Sequence, residues 1–112
     1  MFDRVASNLE RYMDVLSSRQ KLVASNLANA DTPGYKTRDV DFQFEFATLT
    51  KGGKPRTIEP EGLETKNDGN NVNIDREARL LAENAIRFNL LSTLARGEIK
   101  KLKSAIQEGR NG

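Results

Sequence analysis

The chain has 112 residues, of which 37% are hydrophobic and 30% are charged, and its formal net charge is +2. It contains neither cysteine nor histidine. This excludes disulfides, thiolate metal sites and every catalytic arrangement that relies on a histidine base. The near-neutral balance gives no electrostatic footprint for nucleic acid. We expect a protein that is not an enzyme and that binds no cofactor or metal.

The beginning of the sequence, MFDRVASNLERY, has an acid beside its first base and no apolar core. A cleavable signal peptide has a basic start followed by an apolar stretch, so none is expected here. No apolar run approaches the roughly 18–20 residues that cross a bilayer, which argues against membrane insertion. If the protein leaves the cytoplasm, it does so by another route.

Residues 1–30 are predicted to form one long helix. Its apolar residues recur with alternating spacings of three and four, which is typical of a coiled-coil-like seam. The seven-residue series comprises Phe2, Leu9, Leu16, Val23 and Ala30, and its companions are Ala6, Met13, Gln20 and Leu27. The opposite, solvated side is predicted to carry Arg4, Arg11, Ser18 and Ser25.

The first helix is predicted to stop near residues 29–31. Thr32 precedes Pro33, and a residue before proline is disfavoured in the α region. Pro33-Gly34 then forms a turn pair in which the glycine is free to adopt a positive φ.

Residues 31–72 are predicted to be largely irregular. Val40, Phe42, Phe44 and Phe46 alternate with polar residues, which favours a short strand, although a helix over 41–49 stays open. The three phenylalanines are expected to cover the helix pair or a neighbouring subunit. Gly52-Gly53, Pro55, Pro60 and Gly62 disfavour regular structure, and residues 66–71 are predicted to form a turn-rich loop.

The second long helix is predicted over 74–108, within a final segment 73–112. Asn73 is a good N-cap, and Asp75 and Glu77 place negative charge in the first turn. The predicted heptad positions are Ile74, Leu81, Phe88, Ala95 and Leu102, with Ala78, Ala85, Ser92, Ile99 and Ile106 as companions. Opposite charges four residues apart, Asp75, Arg79, Glu83 and Arg87, predict an ion-pair ladder. Gly97 is expected to be tolerated as a point of close approach.

The predicted fold is mainly α, with long N-terminal and C-terminal helices packed as a coiled-coil-like pair around an irregular or short-strand middle segment. We treat 1–30, 31–72 and 73–112 as parts of one structural unit. The second helix also carries apolar residues outside its seam, namely Leu80, Ile86, Leu90, Leu91 and Leu94. A helix that is apolar on more than one face is expected to be surrounded. Neighbouring subunits would supply that surface, and a head-to-tail contact that does not close would give a filament. A self-contained helical hairpin explains the pattern equally well.

A local motif separates these alternatives. The stretch ASNLANADTPGYK, residues 24–36, closely resembles the signature of the bacterial flagellar rod and hook protein family, approximately N-(I/L)-A-N-x-x-T-P-G-(Y/F)-(K/R). Every fixed position is filled, by Asn26, Leu27, Ala28, Asn29, Thr32, Pro33, Gly34, Tyr35 and Lys36. The stretches DGNNVNIDRE and LLAENAIRFNLLSTLARGEIKKLKSAI resemble the members that form the membrane-proximal part of the rod. The resemblance covers about two thirds of the chain, and the aromatic run 42–46 departs from the family pattern.

The resemblance implies a structural subunit that polymerises head-to-tail into the proximal end of the periplasmic drive shaft. The implied partners are copies of itself, other rod proteins, and inner-membrane ring, export-gate or adaptor proteins at the rod base. The implied route is the flagellar type III export apparatus, without a cleaved signal. Another short rod protein of the same family is the first alternative, and a helical-hairpin binding module outside the flagellum is the second.

The residues expected to carry this role fall into two sets. In the motif, Asn26 and Asn29 are expected to bond backbone groups near the helix end, and Tyr35 to pack its ring on a helix with its hydroxyl exposed. The assembly face is predicted to consist of apolar stripe residues, and its disruption by Leu16→Asp or Leu102→Asp is expected to abolish assembly. These residues are Leu9, Met13, Leu16, Val23, Leu27, Leu81, Phe88, Leu91, Ile99, Leu102 and Ile106.

Two other function classes fit parts of the sequence. Asp39, Asp41 and Glu45 are closely spaced carboxylates that could serve acid–base or metal chemistry, although the spacing fits no calcium-binding loop. A basic face near the end of the second helix could bind nucleic acid, although a solvated helix end explains it as well. Its residues are Arg96, Lys100, Lys101, Lys103 and Arg110.

Overall fold

The computed structural model describes residues 2–48 and 53–111. Two long helices, α1 (Phe2–Ala28) and α3 (Ile74–Asn111), pack against each other, which confirms the predicted mainly α fold. Between them lie β1 (Asp39–Val40), the short helix α2 (Phe42–Ala47) and β2 (Thr57–Ile58). The molecule is elongated, with principal extents of 71 × 24 × 17 Å. Residue 1 of the first predicted helix, Gly52 of the irregular segment and Gly112 lie outside the described residues.

The seam of α1 follows its predicted stripe. Leu16, Val23 and Ala30 are buried at intervals of seven residues, and Val15 is buried beside them. The seam faces α3, whose Asn84 donates to Gln20 Oε1 at 3.3 Å. Leu9 and Met13 near the start of α1 share a groove with Ile99 and Leu102 near the end of α3, so the helices run antiparallel.

One predicted solvent position on α1 is wrong. Arg11 is buried, because its guanidinium donates to Glu45 Oε2 of α2 at 2.7 Å and to the carbonyl of Gly53. The helical period places Arg11 away from α3 but says nothing of the middle segment, which covers that side of α1. Arg4 and Ser25 are exposed as predicted, and Ser18 is half-buried.

The seam of α3 lies one residue away from its predicted heptad. The buried positions in its first half are Glu77, Leu80, Asn84 and Leu91, whereas Ile74, Leu81 and Phe88 remain exposed. A shift of one residue is about 100° around a helix, so the predicted stripe flanks the seam. Apolar periodicity missed the seam because two of its positions are polar.

The start of α3 agrees with its predicted cap. Asn73 Oδ1 accepts a hydrogen bond from the backbone N–H of Arg76 at 3.0 Å, as an N-cap residue does. In the predicted charge ladder only the step from Arg79 to Glu83 forms an ion pair among the described residues, at 3.9 Å. Arg87 lies instead over the ring of Phe42, 5.2 Å from its centroid.

The strand predicted over 40–46 is wrong beyond Val40. β1 pairs antiparallel with β2, with Asp39 opposite Ile58 and Val40 opposite Thr57. Asp41 then caps α2, accepting a hydrogen bond from the N–H of Phe44 at 3.3 Å, and the chain continues as a helix to Ala47. The helical alternative was therefore correct for most of 41–49, of which Leu49 lies outside the described residues.

The aromatic residues of α2 explain why a helix forms there. In a helix Phe42 and Phe46 lie on one side, and both meet the ring of Tyr12 of α1 edge to face, at 5.9 and 5.8 Å. Phe44 points elsewhere and packs under the guanidinium of Arg56 at 4.1 Å. Phe42 and Phe46 thus cover α1, as expected.

Candidate functional site

The amide of Asn26 is the most constrained side chain of the motif. Asn26 is 0% exposed, although it lies near the end of α1. Its Nδ2 donates to the carbonyl of Arg38 at 2.8 Å, and its Oδ1 accepts from the N–H of Arg38 at 3.1 Å. The amide therefore pairs with both backbone groups of one residue, as a neighbouring strand would. This ties the end of α1 to the extended chain that follows the turn.

Asn29 forms the exit from α1. Its Nδ2 donates to the carbonyl of Ser25 at 2.9 Å, and its Oδ1 accepts from the Thr32 hydroxyl at 3.0 Å. The Ser25 carbonyl also accepts from the backbone N–H of Asn29 at 3.0 Å, so the Asn29 side chain adds a second bond to it at the exposed end of the helix. Its geometry is that of an ordinary helix cap, whereas Asn26 holds a distant segment.

A second loop, residues 66–73, closes over the turn. Its central residue Asn70 is fully buried, and its Nδ2 donates to the carbonyls of Asn29 and Thr32, each at 2.8 Å. Its Oδ1 accepts from the N–H of Val72 at 2.8 Å. One amide thereby caps the end of α1 and shapes the approach to α3. We call residues 25–38 and 66–73 together the motif clamp.

Hydrogen bonds join the two segments of the motif clamp directly. The N–H of Gly34 donates to the carbonyl of Asp68 at 2.9 Å, and that of Asn71 donates to the carbonyl of Tyr35 at 3.2 Å. The N–H of Thr37 donates to Asn71 Oδ1 at 2.6 Å. The turn of the motif therefore pairs with the loop that leads into α3.

Gly34 and Gly69 allow this pairing. Gly34 has a φ of 75° and Gly69 a φ of 86°, a region that side chains disfavour. A Cβ atom on Gly69 would lie 3.3 Å from the Cα of Gly34. The motif glycine thus serves both the turn and the close approach of a second glycine.

Tyr35 and Lys36 also bond within the chain. The Tyr35 hydroxyl donates to Asn26 Oδ1 at 3.1 Å and lies 3.2 Å from Ser25 Oγ. The hydroxyl therefore bonds to α1, and Tyr35 as a whole is half-buried. Lys36 Nζ donates to the carbonyl of Gly69 at 2.6 Å.

A group of four charges lies beside the motif clamp. Asp39 is buried and accepts two hydrogen bonds from the guanidinium of Arg19, at 3.0 and 2.9 Å, and one from Arg76 at 2.6 Å. Arg76 also reaches Glu77 Oε1 at 2.6 Å, and Glu77 is fully buried. The two positive and two negative charges compensate each other, which buried ions require. The group joins α1, β1 and α3, and we call it the ionic cluster.

The three carboxylates considered for catalysis are all structural. Asp39 belongs to the ionic cluster, Asp41 caps α2, and Glu45 accepts from Arg11 and from the N–H of Arg56 at 2.7 Å. They do not converge on a shared space. Across residues 2–48 and 53–111, no cluster of three or more acidic residues could hold a metal ion.

The predicted assembly face is divided by the fold. Leu16, Val23 and Leu91 are buried in the α1–α3 seam. Leu9, Met13 and Leu27 are half-buried. The members on the exposed side of α3 are Leu81, Phe88, Ile99, Leu102 and Ile106.

A second exposed apolar surface runs along the other side of α3. It consists of Ile86, Leu90 and Leu94, and Ile86 is 70% exposed. These residues were predicted to widen the apolar surface of the helix, and the structure leaves them uncovered. Gly97 follows on the same side, and apart from the neighbouring turns of α3 itself no atom of the described residues lies within 4 Å of a Cβ placed there. The predicted close approach at Gly97 does not occur within this subunit.

An apolar groove lies between the start of α1 and the second half of α3. Its volume is about 450 Å³. The floor and walls are Leu9, Met13, Phe88, Ile99 and Leu102, with Ala6 and Ala95. Carboxylates line its edges, from Glu10 and Asp14 on α1 and Glu98 on α3. A second cavity of about 440 Å³ continues from Phe88 toward Leu16 and Lys21.

The proposed basic face is fully exposed. Arg96, Lys100, Lys101, Lys103 and Arg110 lie along the second half of α3. Lys101 lies 3.5 Å from Glu98, and Arg96 donates to the Thr93 hydroxyl at 3.4 Å. They occupy the solvated end of a helix.

Sequence reasoning missed the residues that complete the motif clamp and the ionic cluster. Asn70 and Asn71 were assigned only to a turn-rich loop, and Arg19 and Arg76 were assigned no role. The repeated amides of residues 70–73 were a usable signal, because such side chains commonly substitute for backbone partners. Nothing in the spacing of Arg19 and Arg76 indicates a shared carboxylate.

The fold and the motif clamp define a class of protein: an elongated helical subunit that bonds the polar groups of its motif within the chain and leaves apolar helix surface exposed. The comparisons with known proteins agree. A family model described as flagella basal body rod protein matches residues 13–36. The chain is 28% identical over 137 positions to flagellar basal body rod protein FlgB of Yersinia enterocolitica, covering 97% of this chain and 100% of that protein.

Two further relatives are similar to about the same extent. Identity is 28% to FlgB of Escherichia coli strain K12, over 97% of this chain and 99% of the relative, and 29% to FlgB of Borrelia hermsii, over 96% and 98%. The chain is thus similar to flagellar basal body rod proteins along nearly its whole length, and the rod-protein family model matches its residues 13–36. These relatives are named as flagellar basal body rod proteins, not as enzymes. The alignments exceed the 112 residues of this chain, so the relatives carry residues that it lacks.

Proposed function

We propose that the chain is a structural subunit of the bacterial flagellar basal body rod that polymerises head-to-tail at the proximal end of the shaft. The observation that carries this proposal is the uncovered apolar surface of α3 in a chain similar to rod proteins along nearly its whole length. Leu81, Phe88, Leu90, Leu94, Ile99 and Ile106 are all exposed in the single subunit. Exposed apolar surface of this extent is typical of protein interfaces.

The partners follow from that position. We propose that copies of the chain and other rod proteins cover α3, and that inner-membrane ring, export-gate or adaptor proteins contact the subunits at the base. Delivery is proposed to use the flagellar type III export apparatus without a cleaved signal. No helix within the described residues has both the length and the apolar character needed to cross a membrane.

The proposal is tested by electron microscopy of basal bodies isolated from a strain that lacks this gene. Inner-membrane rings without any rod are expected, because every later subunit would lack its foundation. A visible rod stub would place the chain further along the axis, as another short rod protein. Intact basal bodies would contradict a role in the rod and favour a binding module outside the flagellum.

A further inference from the structure

The last part of α3 carries a strongly basic amphipathic segment. Residues 100–110, which we call the basic tip, are all exposed. They contain Lys100, Lys101, Lys103 and Arg110 against the single acid Glu108. Leu102, Ala105 and Ile106 are spaced so that they share one side of the helix. The basic tip is therefore an apolar stripe bordered by positive charge.

The apolar groove has the complementary character. Its floor is apolar, and its edges carry Glu10, Asp14 and Glu98. Glu10 and Asp14 are exposed and four residues apart, so they project from the same side of α1. Lys21 lines only the second cavity, at the far end from Leu102. The groove ends at Leu102, where the basic tip begins, and Glu98 lies 3.5 Å from Lys101 of the same chain. Glu10 and Asp14 are therefore the edge carboxylates that the tip of a second copy would meet.

We propose that the basic tip of one copy docks in the apolar groove of a second copy of this chain. Ile106 and Ala105 would enter the groove, while Lys103 and Arg110 meet the carboxylates of its edge. This inference rests on the proposed function, because it specifies which surfaces join two subunits. Opposed charges of this kind set the register and suppress wrong partners more than they add affinity.

The dimensions are compatible. The groove extends along α3 from Phe88 to Leu102, about 21 Å at the helical rise of 1.5 Å per residue. The basic tip is about 16 Å long by the same measure. One tip therefore fits within one groove.

The contact is heterologous, since it joins two different surfaces. Each docked copy retains a free groove or a free tip, so the arrangement does not close after two subunits. A filament follows from one repeated contact. A groove-to-groove dimer, by contrast, would close and stop.

Disulfide trapping tests the contact, because the chain has no cysteine of its own. Cells lacking the native gene would express two variants together, Asp14→Cys and Ile106→Cys, and isolated basal bodies would be oxidised gently. A mixed disulfide at least about fivefold above that of the control pair Glu59→Cys with Ile106→Cys is expected, since disulfides need Cβ atoms within about 4.5 Å. A yield no higher than the control, or disulfides only between two Asp14→Cys chains, would overturn the inference.

Charge reversal gives a second test that does not depend on a disulfide. Glu10→Lys with Asp14→Lys, and separately Lys103→Glu with Arg110→Glu, should each reduce swimming motility about tenfold, because like charges would face each other. All four substitutions together should restore most of it. Two exposed controls, Glu59→Lys with Glu61→Lys and Lys54→Glu alone, should have little effect. A combined variant no better than either pair alone would contradict docking.

These experiments separate the two proposals. If the chain is present in isolated rods but gives no mixed disulfide, the rod function stands and the docking contact is wrong. If the chain is absent from basal bodies and the deletion strain builds normal rods, the proposed function is wrong.

Discussion

The two ends of the α1–α3 pair differ in where their side chains find partners. At the motif clamp, buried polar groups bond almost entirely within the chain: Asn26 holds Arg38, and Asn70 holds Asn29 and Thr32. At the other end, every side chain from 101 to 110 is exposed, and Leu102 and Ile106 are 44% and 52% exposed. The polar groups of the first end bond within the subunit, whereas the second end leaves apolar side chains exposed, as an interface does.

The difference indicates that the recognisable motif and the surface available to a neighbouring subunit are different parts of the chain. The recognisable residues 26–36 lie where the subunit organises itself, because a sharp turn and a buried amide need particular side chains. The surfaces left for neighbours are simple apolar stripes, which many sequences can supply. We infer that the motif acts on assembly indirectly, by fixing the angle and register of the two helices.

The largest expected contrast is between two leucines of the predicted assembly face. Leu16 is 1% exposed and Leu102 is 44% exposed. Leu16→Asp should lower the free energy of unfolding by at least about 4 kcal/mol, since it removes core packing and buries a charge. Leu102→Asp should change the free energy of unfolding by less than about 0.5 kcal/mol while abolishing motility. Urea unfolding and a swimming assay measure both; equal loss of stability would contradict the division of the face.

The ionic cluster should be the next most sensitive site. Asp39→Ala leaves Arg19 and Arg76 without their shared carboxylate in a largely buried position. A loss of about 3–5 kcal/mol is expected, as for other broken buried ion pairs. Asp31→Ala, at an exposed position in the turn, is the matched control. Equal melting temperatures for the two variants would mean that the ionic cluster does not stabilise the fold.

The two asparagines of the motif should also differ in how much each contributes to the free energy of unfolding. Asn26→Ala leaves both backbone groups of Arg38 without their partner at a partly buried place, and should cost about 2–3 kcal/mol. Asn29→Ala removes only an exposed cap, and should cost about 0.5–1 kcal/mol. Denaturant midpoints at equal m-values give the comparison. A larger effect at Asn29 would mean that capping, not the link to Arg38, is the main task of the motif.

The smallest expected effect is at Gly97, in the second half of α3. No neighbouring atom opposes a Cβ there, so Gly97→Ala should stabilise the isolated subunit by about 0.5–1 kcal/mol through helix propensity. Motility reports whether a neighbour approaches this point in the rod. Loss of motility with gained stability would locate a close contact between subunits at Gly97, and unchanged motility would exclude one.

The sequence by itself determined the elements that depend on local chemistry. The α1 stripe, the stop before Thr32-Pro33, the positive φ of Gly34 and the Asn73 cap all follow from neighbouring residues, and all are present. The family motif likewise needs only its own residues to be recognised. Exposed apolar surface on α3 was predicted because too few residues remain to cover it.

Only the tertiary structure decided which partners the polar residues take and which stripe faces inward. Arg11 turns inward because Glu45 lies beside it, and the α3 seam shifts by one residue because Asn84 reaches Gln20 across it. The run 40–46 becomes helical because Tyr12 offers one surface to both Phe42 and Phe46. Each outcome depends on a group distant in the chain, and periodicity carries no information about such groups.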